Sequence, residues 1–418
     1  MQTRGFTFIG KRKNNMAKKR KRKKGRKKII LFVFEILLLL VVLGVLAIYN
    51  STIGKIDFKE ELTNSEAGVN EDIKDETVQT MHGYLNVALF GLDNRSTGKY
   101  NTGNSDTIII ASLNYDTNEV QLVSIYRDTY LSIGKGKYAK ANAAFANGGV
   151  EQAVQMVNSN LDLDITKYVC VDWKALIEVI DKLGGLDLEV TSQEAREINN
   201  FIDETAESTG NKAKHLKGGG NLHLDGVQAV TYARIRSTAG DDFLRASRQR
   251  IVLQAMLEKA KNADIATLTS MCSAMMDDIS TNFTVPEMAS LAKNVMSYNI
   301  KSTTGFPYEL TTMTLSSTGS TVIPIDLETN VSELHKYLFN DESYSTSDTV
   351  QLISSNISKK TGVTEKTATI DLTDYNETVG TDGTEGTKQQ NKNKKQQSTE
   401  NSDNLENSNQ DKNSKLQK

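Results

Sequence analysis

Hydrophobic and polar positions divide the chain into three zones. Residues 29–49, IILFVFEILLLLVVLGVLAIY, form one apolar run of twenty-one residues with a single charge, Glu35. At 1.5 Å rise per residue such a run spans a hydrocarbon core of about 30 Å, so it predicts one membrane-crossing helix. From about residue 82 the pattern changes to short runs bounded by turn residues. LNVALF (85–90), TIIIASL (107–113), VQLVSI (120–125) and YVCVDW (168–173) are rich in β-branched side chains and predict strands. Val150, Ala153, Val154, Val157 and Leu161 recur at helical spacing, as do Leu176, Ile177, Ile180 and Leu183 ahead of a Gly184-Gly185 stop. Thr284 and Glu287 form a capping-box signal with Pro286 in the first turn, and predict a helix carrying Met288, Leu291, Ala292, Val295 and Met296. ELTTMTL and TVIPID read as two further strands. Strands alternating with helices over this length predict an α/β fold built on one central mixed β-sheet. In the third zone, residues 386–418 hold no aromatic residue and two leucines, too little apolar surface to offset the entropy of ordering.

Composition sharpens this division. With 38% hydrophobic and 24% charged residues in 418, the chain is not a polytopic membrane protein. Residues 1–28 carry fourteen Lys/Arg and no Asp/Glu, leaving 36 basic against 52 acidic residues elsewhere. Positive charge beside the apolar run keeps the N-terminus cytoplasmic, so everything after Tyr49 is expected outside the cell membrane. AIYNSTIG after the run offers no clean A-x-A cleavage pattern, which favours an uncleaved anchor. The expected organisation is a basic cytoplasmic segment (1–28), a transmembrane helix (29–49), an acidic extracytoplasmic spacer (50–81), a catalytic domain (82–345) and a low-complexity tail (346–418). The acidic outer portion is too repulsive toward phosphate backbones for nucleic acid to be a partner. Cys170 and Cys272, with four histidines, supply neither a disulfide framework nor a Cys/His zinc site.

Polar residues inside apolar surroundings carry the candidate chemistry. In FGLDNRSTGKYNTGNSDTIII, Asp93 ends one strand-like run and Asp106 begins the next. Two acids bracketing a loop suit a hard cation held partly by substrate phosphates, and they equally suit turn capping. In SIYRDTYLSI, Arg127 and Asp128 follow a strand, a placement also typical of a solvated surface pair. YARIRSTAGDDFLRASRQRIVLQAM packs Arg234, Arg236, Arg245, Arg248 and Arg250 into seventeen residues of an otherwise acidic region. On an extended segment, Arg234 and Arg236 would face one side. On the following helix, Asp242, Arg245 and Gln249 share a face at i, i+3 and i+7, while Arg248 and Arg250 point elsewhere, Arg250 as a solvated charge. Planar guanidinium groups bind phosphate bidentately, so converging pairs make a diphosphate clamp.

These three clusters, with KANAAFANGG (140–149) and VDWKALIEVIDKLGGLDLEV (171–190), resemble the LytR-CpsA-Psr family of Gram-positive cell-envelope proteins. The resemblance covers roughly residues 82–260, more weakly to about 340, and includes the short basic tail and single helix. It implies an α/β/α sandwich enclosing a long apolar pocket for a polyprenyl chain. It also implies a phosphotransferase that moves a glycopolymer of teichoic acid or capsular type from an undecaprenyl-diphosphate carrier to peptidoglycan, with Mg²⁺ or Mn²⁺ as cofactor. Carried over by position, the metal acids fall on Asp93 and Asp106, and the arginine of an Arg-Asp-Thr motif falls on Arg127, followed by Asp128. The diphosphate arginines fall on Arg234, Arg236 and Arg245, with Asp242 and Gln249 beside them. Tyr126 departs from the proline common before Arg-Asp in the family. Gly240-Asp241-Asp242 offers two acids, of which Asp242 keeps the Asp-x-x-Arg spacing to Arg245. The same residues accommodate two alternatives, a polyprenyl-phosphate binder without transfer and a hydrolase in which water replaces the sugar hydroxyl.

Overall fold

The computed structural model describes residues 57–58, 60–92, 103–236, 241–264, 267–268 and 279–370. The apolar run 29–49, the basic segment before it, Asp93, Cys272 and the end of the tail lie outside the described residues.

The strands of the main sheet are β1 (Asp57–Phe58), β2 (Tyr84–Leu92), β3 (Ser105–Asn114), β4 (Glu119–Ile125), β7 (Lys167–Asp172), β10 (Ile279–Thr281) and β11 (Asn299–Phe306). Their order is β1-β10-β7-β2-β3-β4-β11, and β5 (Tyr130–Ser132) with β6 (Tyr138–Lys140), and β8 (Leu186–Val190) with β9 (Gly220–Leu224), form two small antiparallel sheets outside it. The sheet is mixed: β2 pairs with β7 and β4 with β11 in parallel, whereas β2 with β3, β3 with β4 and β10 with β7 are antiparallel. Each of the four runs expected as strands lies in this sheet, except that Trp173 leaves β7 and opens a helix. The other two expected strands stay out of it. β12 (Leu310–Leu315) and β13 (Gly319–Pro324) form a separate antiparallel two-stranded sheet, with a single bridge from Val322 to Thr129, so the mixed character comes from the strands of the main sheet instead.

Side chains alternate across a strand, and here both faces are covered. Ala88, Phe90, Leu92, Ile108, Ile110, Val123, Ile125, Tyr168 and Cys170 join one continuous core. Against it pack α2 (Ala143–Leu161), α8 (Leu327–Phe339) and α9 (Asp348–Thr361) through Val154, Val157, Val331, Leu334, Val350 and Ile353. A second core joins α3 (Trp173–Lys182), α4 (Ser192–Thr209), α5 (Gly226–Arg234) and α6 (Asp241–Lys261).

Local chemistry starts and stops these helices where the sequence suggests. Asp172 accepts from the Ala175 amide at 2.9 Å and so begins α3. Gly184 and Gly185, at φ +82° and +87°, end it. The expected capping box of Thr284 and Glu287 opens α7 (Val285–Lys293), but that helix stops short of Val295 and Met296, which lie in a 3₁₀ turn.

The folded region is wider than the expected 82–345 at both ends. Leu62, Ala67, Ile73 and Met81, the last in α1 (Asp75–Met81), are buried in the first core. Val350, Ile353, Ile357 and Val363 are buried there too, and the Ile370 amide donates to Leu310 O. Polar composition hid both segments, because each contributes only one apolar stripe to a core that other elements complete.

Candidate functional site: an arginine cavity at the mouth of an apolar slot

The C-terminal ends of β2, β4 and β7 and the N-terminal end of β3 meet at one edge of the sheet, the usual place for ligands in α/β folds. Asp106 is the second residue of β3 and Arg127 lies just beyond β4. Continuing the register Ile109↔Ser124 outward sets the two opposite each other. Arg127 Nη1 donates to both Asp106 oxygens at 2.9 Å. The Tyr126–Thr129 turn holds this pair in place, with the Thr129 amide donating to Tyr126 O. Tyr126 itself is buried, lies edge-on to Phe243 at 4.6 Å, and needs a glycine beside it: a Cβ on Gly305 would sit 2.0 Å from its hydroxyl. The tyrosine that replaces proline therefore ties the Arg-Asp turn to α6.

Arg234 and Arg236 reach the site by a route other than strand alternation. Arg234 is the last residue of α5, Ile235 leaves the helix at ψ 144°, and Arg236 follows. Arg234 Nη1 donates to Thr205 Oγ1 at 2.9 Å, and its guanidinium lies 5.2 Å from the centre of the Trp173 ring. Arg236 Nη2 reaches Asp106 Oδ2 at 3.4 Å. From the first turn of α6, Asp242 Oδ1 meets Arg245 Nη2 at 2.8 Å, Arg127 Nε at 3.6 Å and Arg236 Nε at 3.8 Å. A carboxylate at a helix N-terminus is favoured by the dipole, and here it is also the hub of three guanidinium groups.

The result is an ion-pair network rather than an isolated basic patch. Asp106, Asp128 and Asp242 hold Arg127, Arg236 and Arg245 close together, which their mutual repulsion would otherwise resist. Burial works against the charge on Arg127, but Asp106, Asp242 and Asp128 outweigh it and raise its pKa. Arg245, more deeply buried, is lowered to about 10 and stays protonated at neutral pH. Asp128 and Asp242 are hydrogen-bonded to each other. Burial raises the pKa of Asp242, and the neighbouring Asp128 adds to the rise against the opposing pull of Arg245 and Arg127. Burial opposes ionisation of Asp128 as well, but Asp242 and Lys140, whose Nζ lies 2.8 Å away, together pull its pKa down.

A cavity of about 240 Å³ opens on this network, walled by Asp106, Trp173, Arg234, Arg236, Arg245 and Gln249. Arg245 Nη1 and Gln249 Nε2, both buried, meet no hydrogen-bond acceptor among the described residues. Two orphan donors beside three guanidinium groups are suited to an anion with several oxygens. Trp173 and Gln249 also wall a second cavity of about 210 Å³, continuous in its lining with the first. That one is an apolar slot between the sheet and the helices, lined by Leu89, Ile109, Val169, Val171, Leu176 and Leu253.

For a divalent cation, Asp106 offers hard carboxylate oxygen facing the cavity. Its bonds to Arg127 and Arg236 use part of the roughly four acceptor sites of a carboxylate. It therefore suits an ion bound mainly by phosphate oxygens. Among the described residues no cluster of three or more His, Cys, Asp or Glu side chains could hold a metal without such a ligand.

Eight of the nine residues expected at the site are thus brought together, namely Asp106, Arg127, Asp128, Arg234, Arg236, Asp242, Arg245 and Gln249, and the ninth, Asp93, lies outside the described residues. Arg248 turns away to Glu194 at 2.8 Å. Arg250 also turns away, but it is not solvated: it is 2% exposed, near Tyr126 and Tyr337, and burial lowers its pKa. Long guanidinium side chains near the core can be enclosed by a tyrosine shell that sequence spacing does not reveal. Trp173, Thr205 and Lys140 were not singled out as site residues, although a lone tryptophan at a strand end was a usable signal.

Residues 52–334 match the LytR_cpsA_psr family, and the chain belongs to that family. It is 34% identical over 213 residues to the polyisoprenyl-teichoic acid–peptidoglycan teichoic acid transferase TagU of Bacillus mycoides strain KBAB4, covering 50% of this chain and 64% of that protein. The match thus spans less than two thirds of that relative. Among solved structures, protein gbs0355 of Streptococcus agalactiae superposes with a TM-score of 0.53 at 26% identity, covering 66% of this chain and 94% of that one. TagT bound to LI-WTA has a TM-score of 0.52 at 23% identity, over 68% of this chain and 100% of that one, a likeness of fold.

Proposed function

We propose that this chain is a phosphotransferase that moves a teichoic-acid or capsular type glycopolymer from an undecaprenyl-diphosphate carrier to peptidoglycan. The observation that carries the reading is the shared wall of Trp173 and Gln249, which joins a cavity of guanidinium groups to an apolar slot. A lipid diphosphate needs that combination: charge-assisted bonds for the head, and burial worth about 0.8 kcal/mol per CH₂ for the chain. Arg234, Arg236 and Arg245, with Gln249, would hold the diphosphate, and Asp242 would keep the arginines in register. The naming of the TagU relative as a polyisoprenyl-teichoic acid transferase supports the same substrate class.

Mg²⁺, or Mn²⁺, held by Asp106 together with Asp93, would neutralise charge on the transferring phosphoryl group. Residues 29–49 would anchor the protein, with the basic residues 1–28 in the cytoplasm and the folded region outside. No nucleic acid is expected to bind this cluster tightly, since its arginines are already compensated by three carboxylates.

Purified full-length chain, incubated with lipid-linked teichoic acid precursor and un-cross-linked peptidoglycan strands, should transfer the polymer to the strand, and chelation of divalent cations should stop it. Release of free polymer into water with no strand product would favour hydrolysis instead. Tight retention of the lipid with neither product would reduce the protein to a lipid binder.

A further inference from the structure

The Asp106–Arg127 ion pair separates two spaces. Asp106 lines the arginine cavity, whereas Arg127, bonded to it at 2.9 Å, lines another cavity of about 430 Å³. The wall of this second space includes Asp128, Lys140, Asn142, Ser317 and Thr318. Its chemistry differs from that of the lipid slot. Amide, hydroxyl and paired charged groups line it in place of branched aliphatic side chains, and Asp128 is the one carboxylate in the described wall.

We propose that this second cavity is the subsite for the acceptor saccharide of the cell-wall polymer, and that Asp128 receives the proton of its attacking hydroxyl. The inference rests on the phosphotransferase reading and adds to it the place of the second substrate. In-line displacement puts the attacking and leaving oxygens on opposite sides of phosphorus. The lipid slot adjoins the arginine cavity at Trp173 and Gln249, and the polar cavity lies on the far side of the Asp106–Arg127 pair, so the leaving lipid phosphate and the incoming hydroxyl have separate boundaries. The neutral donors and acceptors of Asn142, Ser317 and Thr318 match sugar hydroxyls and acetamido groups. Lys140 and Arg127 fix the Asp128 carboxylate, at 2.8 Å and 3.4 Å, on the cavity wall.

The step balances within the site. A lone pair of the acceptor hydroxyl forms the new O–P bond to the phosphorus next to the glycopolymer. The bond from that phosphorus to the bridging oxygen breaks, and its electron pair leaves with undecaprenyl phosphate. The hydroxyl proton passes to Asp128.

Ser317, exposed in the turn between β12 and β13, allows the subsite to be closed without touching the arginines. Full-length Ser317→Trp should raise the KM for un-cross-linked peptidoglycan strands by about tenfold or more, a loss of one or two good contacts. Its affinity for the lipid-linked precursor should stay within about twofold of the parent. Should the indole prevent folding, Ser317→Cys is folded first and then alkylated with a bulky maleimide, with the parent alkylated in parallel, and the same rise should appear only on labelling. Unchanged strand dependence in a blocked protein overturns the subsite, as does equal weakening of strand and lipid. A parent chain that binds lipid-linked precursor but never transfers it overturns the transferase reading as well, which separates the two failures.

Discussion

The two faces of the central sheet are built from similar residues and have been put to different uses. On one face, Ala88, Phe90, Ile110, Val123 and Cys170 are at most 1% exposed and are sealed by α2, α8 and α9. On the other, Leu89, Val169 and Val171, one residue out of step on the same strands, remain partly exposed and line the slot beneath α3 and α6. Both faces are apolar because both lie under helices. What differs is whether the helices press onto the strands or stand off from them. Trp173, placed by the Asp172 cap, and Gln249, one helical turn beyond Arg245, sit where the open face meets the arginines. A closed face supplies stability, and an open one supplies room for a ligand.

The largest expected effect tests how far the closed face extends. Truncation after residue 345 removes α9 and uncovers the partners of Val350, Ile353, Ile357 and Val363. At roughly 1.5–3 kcal/mol for each buried aliphatic side chain, the loss of about 6–12 kcal/mol rivals the stability of a whole domain. The truncated chain should be unfolded by circular dichroism, while truncation after residue 370 should leave the melting temperature within a few degrees of the parent. An intact fold after the shorter truncation would show that α9 is dispensable.

Two arginines of α6 separate ligand binding from packing in the same way. Arg245→Ala removes a charge-assisted contact from the open side and should slow transfer by about 30- to 1000-fold, or 2–4 kcal/mol of transition-state stabilisation. Arg250→Ala, one position beyond Gln249 but enclosed near Tyr126 and Tyr337, should instead cost about 2–4 kcal/mol of folding stability by leaving a cavity. Urea titration alongside the transfer assay distinguishes the two. An Arg250 variant of parental stability would contradict its burial.

Acid should weaken the closed face through His335. This residue is fully buried, stacks on Tyr344 with ring centres 3.7 Å apart, and bonds through Nε2 to Leu161 O. Burial lowers its pKa to about 4, against the weaker opposing pull of Leu161 O, Asp162 and Asp341. The unfolded chain, with an ordinary histidine near 6.5, takes up the proton first, so stability is lost as pH falls from about 6.5 to about 4, by on the order of 3 kcal/mol. Urea midpoints of the parent and His335→Phe across that range should diverge in slope, the variant being flatter. Parallel slopes would mean that His335 titrates normally.

Much of this was legible in the sequence, and the misses share one cause. The strands, the α3 stop and the Thr284 capping box follow from local periodicity and local hydrogen bonding, which a sequence displays directly. The spacing of Asp242, Arg245 and Gln249 likewise places them on one helical face. Arg250 was misread as solvated, α9 as tail and β12 and β13 as sheet members. In each case the deciding partner lies far along the chain: Tyr126 and Tyr337 for Arg250, the α2 and α8 stripes for α9, and each other for β12 and β13. The chain order of apolar residues also cannot say which face of a doubly covered sheet is filled.

The smallest expected effect bears on that last point. Val123 on the closed face and Val171 on the open face are both valines in interior strands, one fully buried and the other lining the slot. Enlarging Val123 to Phe forces extra volume into close-packed surroundings and should cost about 1–3 kcal/mol. Val171→Phe places the same volume where space already exists, so its stability should shift by less than about 1 kcal/mol in either direction. The ring would occupy room needed by a lipid chain, and mass spectrometry of the purified variant should find little or no retained polyprenyl phosphate. Equal destabilisation by the two substitutions would show that the slot closes on itself in solution and that the two faces are alike. A stable Val171→Phe protein that still carries lipid would move the lipid chain elsewhere and leave the slot as a packing defect.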